Sequence, residues 1–362
     1  MLLVQSFLFR RSARRIYGPS RPYTTGPPLA FVFDIDGVLL RGEDVFPQAR
    51  RALDVLHGNN PWKSKIPFIL MTNGGGVKES LRATLLSRQL GYEIRPDQYL
   101  QSHTVLRSLA SDAEDPSRSK SDSHILVIGG VGDSVRDVAE SYGFKNVHTS
   151  LDVLAWNPSI WPFHQLSDSE LDSTRNTDFS SICVDSVFVF HDPRNWALDI
   201  QVMTDVIRSY PNSLGSYNRS VSNHGVDLHF TNPDLLWRAH YQVPRFGQGA
   251  FRQAFQAVFR AATGAEYPYI QYGKPSRLTY DYGTSMLKAQ YLSQTSHPSK
   301  MFMVGDNPES DIAGANGAGW HSLLVETGVY DPSLGPPTHT PTAIVKDVEE
   351  AVYRAIEIAN VK

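Results

Sequence analysis

Two carboxylates lie one residue apart at the end of an apolar run in FVFDIDGVLL, residues 31–40. Burying Asp34 and Asp36 together is unfavourable unless nearby positive charge compensates them. Carboxylate oxygens are the ligands that hard divalent cations such as Mg²⁺ prefer. The pattern therefore predicts a cation at this point, assisted by a basic side chain.

Further polar side chains follow other apolar runs or precede a new helix. They are Thr72 and Asn73 after IPFILM, Lys274 in YGKPS, and Asp306 and Asp311 after MFMV. Taken singly, Thr72 or Asp311 is equally well explained as a turn residue or a helix cap, and Lys274 is better explained as a solvated surface lysine. Open α/β sheets, however, bind ligands beyond the carboxyl ends of their strands. The joint pattern predicts that these side chains converge at one sheet edge.

The elements that would position these residues alternate along the chain. Continuous apolar runs such as LAFVFDIDG, HILVIGG, SVFVFHD and HSLLVETG suit parallel strands covered on both faces. VKESLRATLLSRQLG predicts a helix that carries Leu81, Leu85 and Leu86 on one face and ends at Gly91. GAFRQAFQAVFRAATG predicts another that ends at Gly264. Strands alternating with helices predict an α/β doubly wound fold.

Four segments together resemble the motifs, in order, of the haloacid dehalogenase-like phosphatases: DIDGVLL, MTNGGG, GKP and VGDNPESDIAGANGAG. The long segment between the second and third motifs is similar to the NagD-like subfamily, which has a large α/β cap. HDPRNW with GDNPESDIAGAN most resembles its mitochondrial branch, the proteins similar to cat eye syndrome critical region protein 5. The resemblance implies a Rossmann-like core with a parallel sheet over 29–103 and 269–362, and an inserted C2-type cap over 104–268.

The resemblance also implies catalytic roles. Asp34 would be the nucleophile that forms an aspartyl-phosphate, and Asp36 the general acid and then the base. Thr72 and the backbone N–H groups of Asn73 and Gly74 would hold the phosphoryl oxygens. Lys274 would offset the repulsion between anions.

Mg²⁺ is the cofactor that the same resemblance implies. Its ligands would be Asp34, the backbone carbonyl of Asp36, and Asp306. Asp311 would complete the metal site by orienting a ligand or a water molecule.

The cap is expected to close over the site and to contact the leaving group through FTNPDLLWRAHYQ. The candidate substrate-binding residues there are Asn232, Asp234, Arg238 and His240, each of which is equally well explained as a packing or surface residue. His191 and Arg194 of HDPRNW either meet a phosphate-bearing substrate or cap a helix. The resemblance also implies a homodimer formed through the cap.

The first 25 residues differ from the rest. They contain no acid, an amphipathic apolar pattern and five arginines: Arg10, Arg11, Arg14, Arg15 and Arg21. This composition predicts a mitochondrial transit peptide and a matrix location; the alternative is a disordered basic tail. Without these arginines the formal net charge falls from −3 to −8, which argues against a nucleic-acid partner. No apolar run has the length of a transmembrane segment.

Several other segments carry weaker signals. Residues 111–124 and 167–181 are rich in Ser and Asp and predict inserted surface loops. IGGVGDSV lacks the full glycine fingerprint of a dinucleotide-binding loop. In HGVDLH, His224 and His229 are five residues apart, which does not match the spacing of two metal ligands on a helix.

The function that these observations predict is a Mg²⁺-dependent phosphomonoesterase acting on a small phosphorylated metabolite, with a phospholipid precursor among the options. The alternative is a catalytically silent or slow member that acts as a binding or scaffold protein, with the two surface loops as docking sites. Dehalogenase chemistry is disfavoured, because the dehalogenating relatives lack the second aspartate of DIDG.

Overall fold

The computed structural model describes residues 27–111, 119–217, 225–237, 241–291 and 298–360. The predicted transit peptide, Arg238, His240 and His224 lie outside these residues. So do residues 112–118, which are half of the predicted loop 111–124. Across the described part of the chain, no helix has both the length and the hydrophobicity needed to cross a membrane.

The strands are short, as the brief apolar runs predict. In chain order they are β1 (Leu29–Phe33), β2 (Leu40–Arg41), β3 (Asp44–Val45), β4 (Phe68–Thr72), β5 (Tyr99–Gln101), β6 (His124–Ile128), β7 (Asn146–Thr149), β8 (Ser186–Val189), β9 (Asp227–Phe230), β10 (Leu236–Trp237), β11 (Arg245–Phe246), β12 (Ile270–Gln271), β13 (Lys300–Gly305), β14 (His321–Val325) and β15 (Ala343–Val345).

Helices separate most of the strands. In chain order they are α1 (Pro47–Leu56), α2 (Glu79–Leu90), α3 (Arg107–Ala110), α4 (Ser134–Tyr142), α5 (Ser150–Trp156), α6 (Asp168–Asp172), α7 (Trp196–Ser209), α8 (Gln248–Thr263), α9 (Arg277–Tyr291), α10 (Ala313–Gly317) and α11 (Val348–Asn360). Gly91 and Gly264 follow α2 and α8 with φ of 79° and 88°, so both predicted helix ends are confirmed.

The first sheet, called the core sheet, has six parallel strands in the order β15-β14-β13-β1-β4-β5. Side chains of β1 alternate between its faces: Phe31 and Phe33 join one apolar cluster, and Ala30 and Val32 join another. The chain runs from β1 outward through β4 and β5, and later from β13 outward through β14 and β15. The strand order therefore reverses between β1 and β13, which lie side by side.

The second sheet, called the cap sheet, has five parallel strands in the order β12-β9-β8-β6-β7 and lies within the inserted segment. Its two faces carry separate apolar clusters. Strand β12 pairs with β9, so the cap sheet extends two to three residues beyond the boundary predicted at 268. The hairpin β10–β11 projects from this part of the chain as a separate antiparallel pair.

Two local predictions differ from the structure. Leu81 and Leu85 were expected to share an apolar face with Leu86, but they are 53% and 39% exposed, and α2 instead buries Ala83, Leu86 and Leu90. The predicted loop 167–181 contains the short helix α6, which begins with a capping box. Ser and Asp favour helix N-termini as well as loops, and this explains the second difference.

Candidate active site

The two central acidic motifs meet at the point where the strand order reverses. Asp34 directly follows β1, and its backbone N–H donates to the carbonyl of Val304 on β13 at 2.9 Å. Asp306 directly follows β13. Asp34, Asp306 and Asp311 are buried, and each has a carboxylate oxygen within 4.8 Å of the other two. The predicted convergence of these carboxylates is therefore present in the fold, at the position where open α/β sheets bind ligands.

Lys274 lies among these carboxylates. Its Nζ is 2.7 Å from Asp311 Oδ1 and donates to Asp34 Oδ1. Lys274 Nζ also donates to the Met71 carbonyl at 3.1 Å. Burial lowers the pKa of Lys274, but the charges of Asp311 and Asp34 outweigh this effect and hold the pKa well above its ordinary value. Lys274 is thus a fixed positive charge in a buried site.

Asp311 organises the loop that carries Asp306. It lies in a π-helical turn, Pro308–Ile312, and its Oδ2 accepts the backbone N–H groups of Asp306 and Asn307, both at 3.1 Å. Asp306 Oδ2 in turn accepts the N–H of Val329 at 2.7 Å. A Cβ at Gly328 would collide with the Asp306 side chain, so this approach requires glycine.

The carboxylates outnumber the positive charge that the protein provides. Burial, together with Asp311 and other nearby carboxylates, raises the pKa of Asp34 well above its ordinary value and that of Asp306 to about 8. One lysine cannot neutralise three such groups. Because the excess charge is carried by closely spaced carboxylate oxygens, the residues fit a hard divalent cation such as Mg²⁺.

Asp36 differs from Asp34 in its surroundings. Its side chain is half-buried and lines the cavity above the carboxylate cluster. Burial raises the pKa of Asp36, while Arg82 and Lys274 lower it by a smaller amount. The carboxyl of Asp36 therefore favours its protonated form more than an exposed aspartate does, which suits a group that donates a proton.

The loop after β4 is tied to the lysine segment. The Asn73 side-chain amide donates to the Lys274 carbonyl at 2.9 Å, and the Lys274 N–H donates to Asn73 Oδ1 at 2.7 Å. Thr72 Oγ1 accepts the N–H of Gly74 at 2.9 Å. The predicted phosphate-binding groups thus lie together beside Lys274. In this state the Gly74 N–H is directed to Thr72.

A buried hydrogen-bond chain behind this loop was not predicted. The Gly76 N–H donates to His103 Nε2 at 3.0 Å, so Nδ1 carries the proton and donates to the Tyr142 hydroxyl at 2.9 Å. Tyr142 then donates to Glu79 Oε1 at 2.5 Å, as does Thr104 at 2.8 Å. Burial, with His191 and Arg107 nearby, lowers the pKa of His103 to about 3 and keeps the imidazole neutral.

The cap contributes side chains to the same cavity. Asn232, Asp234, His191 and Arg194 all line it. Asn232 Oδ1 accepts the Asp234 N–H at 2.8 Å, and Asn73 donates to Asp234 Oδ2 at 3.0 Å. Burial raises the pKa of Asp234 to about 6. The structure therefore brings Asn232 and Asp234 to the site, as predicted; Arg238 and His240 lie outside the described residues.

Comparisons with known proteins agree with this architecture. The sequence-family model of the haloacid dehalogenase-like hydrolases matches residues 31–145. A second family model, described as HAD-hydrolase-like, matches residues 271–351. A mitochondrial hydrolase of Saccharomyces cerevisiae is 39% identical, over 92% of this chain and 97% of that protein. The chain therefore belongs to the haloacid dehalogenase-like hydrolases, and it has the cap of the NagD-like subfamily.

Two further similarities extend the comparison. A cardiolipin synthase (CMP-forming)/mitochondrial hydrolase fusion protein of Schizosaccharomyces pombe is 39% identical over 93% of this chain, which spans 54% of the length of that protein. The solved structure of a glycerol phosphate phosphatase from Mycobacterium tuberculosis, in complex with magnesium, superposes with a TM-score of 0.56 at 18% identity. This match covers 88% of this chain and 75% of that one. At this identity the structural match establishes a shared fold.

Proposed function

We propose that this hydrolase is a Mg²⁺-dependent phosphomonoesterase that acts through an aspartyl-phosphate intermediate. The observation that carries the proposal is a buried cluster at the point where the strand order of the core sheet reverses. The cluster consists of Asp34, Asp306, Asp311 and Lys274. A carboxylate nucleophile that must meet a phosphate dianion needs this concentration of compensating groups. The similarity in fold to a glycerol phosphate phosphatase supports the same reaction class.

The reaction that we propose has two displacement steps. An oxygen of Asp34 attacks phosphorus, and the bond from phosphorus to the leaving-group oxygen breaks, while Asp36 gives its proton to that oxygen. Asp36, now ionised, takes a proton from a water molecule, whose oxygen attacks phosphorus. The Asp34–phosphate bond then breaks and releases inorganic phosphate. The raised pKa of Asp36 supports its role as the initial acid.

Other side chains hold the charges in place. Asp34 and Asp306 would ligate the Mg²⁺ ion, with the backbone carbonyl of Asp36 as the further ligand that the family resemblance implies. Asp311 would act mainly by fixing the Asp306 loop. When bound, Mg²⁺ supplies positive charge that offsets the repulsion between carboxylate and phosphate. Lys274 holds Asp34 in position, and Thr72 with the N–H groups of Asn73 and Gly74 would bind the phosphoryl oxygens.

The substrate that we propose is a small phosphorylated metabolite, because the cap covers the site and limits access. Asn232 and Asp234, with Arg238 and His240, are the proposed leaving-group contacts. The fusion of a related chain to a cardiolipin synthase supports a phospholipid precursor as substrate. The names of both relatives and the arginine-rich leader support a mitochondrial location, and we propose the matrix as the compartment. We also propose a homodimer formed through the cap.

The test is turnover of a panel of phosphate monoesters with MgCl₂ or with EDTA. Asp34→Asn keeps the shape of the site but removes the nucleophile, so we expect activity to fall by about 10³-fold or more. Asp281→Asn, on the exposed face of α9, is the matched control and should retain full activity. Absence of turnover across the panel would contradict the proposal and favour the binding or scaffold alternative.

A further inference from the structure

The active-site cavity is larger than a phosphate group requires. Its volume is about 540 Å³, within the range typical of sites for whole small-molecule ligands. Its inner end is formed by the carboxylate cluster and Lys274. Its outer end is formed by the segment 191–196, which is the HDPRNW motif, and by the hairpin β10–β11. In the proposed reaction, the leaving group of the phosphate ester would lie at this outer end.

Two arginines bring unpaired positive charge to this outer end. Arg194 Nη2 is 3.4 Å from His191 Nε2, and Arg245 Nε donates to the carbonyls of Val243 and Pro244, both at 3.1 Å. Among the described residues, neither arginine forms an ion pair with a carboxylate. Asp192, the nearest acid in the motif, is instead 3.5 Å from the His191 Nδ1. The Arg245 guanidinium also lies 4.5 Å from the centroid of the Tyr241 ring, which leaves its charge uncompensated. Both guanidinium groups can therefore attract an anionic ligand.

Apolar side chains line the same cavity as these arginines. The outer end includes Trp196, Leu236, Trp237 and Phe246, of which Trp237 and Phe246 are 43% and 70% exposed. The Trp196 indole N–H donates to the Pro193 carbonyl at 3.2 Å, so its ring presents an apolar surface. Exposed aromatic side chains beside arginines suit a ligand that has both an apolar body and a negative charge.

We propose that the outer end of the cavity selects a leaving group with a second negative charge on an apolar or aromatic body, and that Arg194 is the specificity-determining residue. This inference rests on the proposed phosphomonoesterase function. It also gives a role to the HDPRNW motif, which contributes Arg194 and Trp196 to the lining of the cavity. Arg194 would contact the leaving group and take no part in the transfer of the phosphoryl group.

The experiment compares two substrates that differ in one charge, phenyl phosphate and 4-carboxyphenyl phosphate. The measured quantity is the ratio of kcat/KM for the carboxylated compound to that for the neutral compound. Comparing this ratio between the wild type and Arg194→Gln cancels the intrinsic reactivities of the two esters. Since a hydrogen bond to a charged group is typically worth about tenfold or more, we expect Arg194→Gln to lower the ratio by about tenfold.

Two further variants sharpen the comparison. Arg194→Lys keeps the charge and should retain part of the preference for the carboxylated substrate. Arg260→Gln removes an exposed arginine of α8 that pairs with Glu266 outside the cavity, and its ratio should equal that of the wild type. A ratio unchanged in Arg194→Gln, with both esters turned over, overturns the inference while the proposed function stands. Turnover of neither ester by the wild type also overturns the inference, and the panel of phosphate monoesters then decides separately on the proposed function.

Discussion

The side-chain amide of Asn73 donates to the carboxylate of Asp234 at 3.0 Å, and this bond joins the core sheet to the cap. Asn73 follows β4, whereas Asp234 precedes the hairpin β10–β11. The same amide also donates to the Lys274 carbonyl, and its oxygen accepts the Lys274 N–H. One side chain therefore connects the cap to the lysine that holds the proposed nucleophile.

Shortening either partner should reduce activity by different amounts. Asp234→Ala removes one hydrogen bond, so we expect kcat/KM to fall by about two- to tenfold. Asn73→Ala also leaves the buried Lys274 N–H without its acceptor and should cost more. Asp234→Asn removes the charge but can still accept the hydrogen bond, so its comparison with Asp234→Ala separates the hydrogen bond from any contact between the carboxylate and the leaving group. Steady-state kinetics on one phosphate monoester provide the measurement, and equal losses for the two alanine variants would contradict this explanation.

The position of the acidic cluster could be predicted from sequence because it depends on topology alone. Asp34 and Asp306 end neighbouring parallel strands, and the carboxyl ends of such strands meet at one edge. The approach of Lys274 to these carboxylates follows from the same reasoning, since Lys274 also lies close to the end of a strand and the start of a helix.

Side-chain partners within the site were less predictable. Nothing in the spacing of His103, Tyr142 and Glu79 indicates that they share hydrogen bonds, because they come from α2, α4 and the segment after β5, whose packing determines the contacts. Leu85 illustrates the same difficulty. Its leucine type predicted burial, but the cap leaves it at the rim of the cavity, where it is 39% exposed.

The His103 chain predicts a specific effect of Tyr142→Phe. Loss of the hydroxyl leaves the His103 Nδ1–H and Glu79 without their shared partner, so we expect the free energy of unfolding to fall by about 1–3 kcal/mol. Because His103 also accepts the Gly76 N–H beside the predicted phosphate loop, the KM for a phosphate monoester should rise more than kcat falls.

Tyr267→Phe is the control for that variant. The Tyr267 hydroxyl is also buried and donates to the Val226 carbonyl at 2.8 Å, within an apolar cluster of the cap sheet. Both variants should lose stability in urea denaturation, and only Tyr142→Phe should change KM. A parallel change of KM in Tyr267→Phe would show that the effect reflects general destabilisation.

Mg²⁺ affinity should depend on pH through Asp306. Burial and Asp311 raise the pKa of Asp306 to about 8 when no cation is bound. Since a ligating carboxylate must be ionised, the proton competes with Mg²⁺ below this pH. We expect the apparent Kd to increase by at least about tenfold for each pH unit below 8, because the raised pKa of Asp34 adds a second competing proton. Isothermal titration from pH 6 to 9 measures this dependence.

Asp306→Asn is the informative variant for that titration. It removes both the competing proton and the negative charge, so Mg²⁺ should bind more weakly and with less dependence on pH. In the wild type, saturation at 100 times Kd should stabilise the fold by about 2.7 kcal/mol. A wild-type Kd that is constant between pH 6 and 8 would contradict the assignment of Asp306 as a ligand.

Asp199 of α7 should make cap stability depend on pH. Its side chain is buried, and its Oδ1 accepts the Ser150 hydroxyl at 2.6 Å. Burial raises the pKa of Asp199 from 3.8 to about 6. Between these values the folded protein retains a proton that the unfolded chain has released, so the free energy of unfolding falls as pH rises. Above pH 6 the loss in the free energy of unfolding caused by Asp199 stays constant at about 3 kcal/mol.

Asp199→Asn removes this cost because the amide stays neutral and can still accept the Ser150 hydrogen bond. We therefore expect Asn to stabilise the protein by about 1–3 kcal/mol at pH 8 and to have little effect at pH 4. Urea denaturation at both pH values, with the exposed Asp281→Asn as control, provides the measurement. The titrations of all other groups cancel in the difference from wild type. A stability difference that is the same at pH 4 and pH 8 would show that folding does not raise the pKa of Asp199.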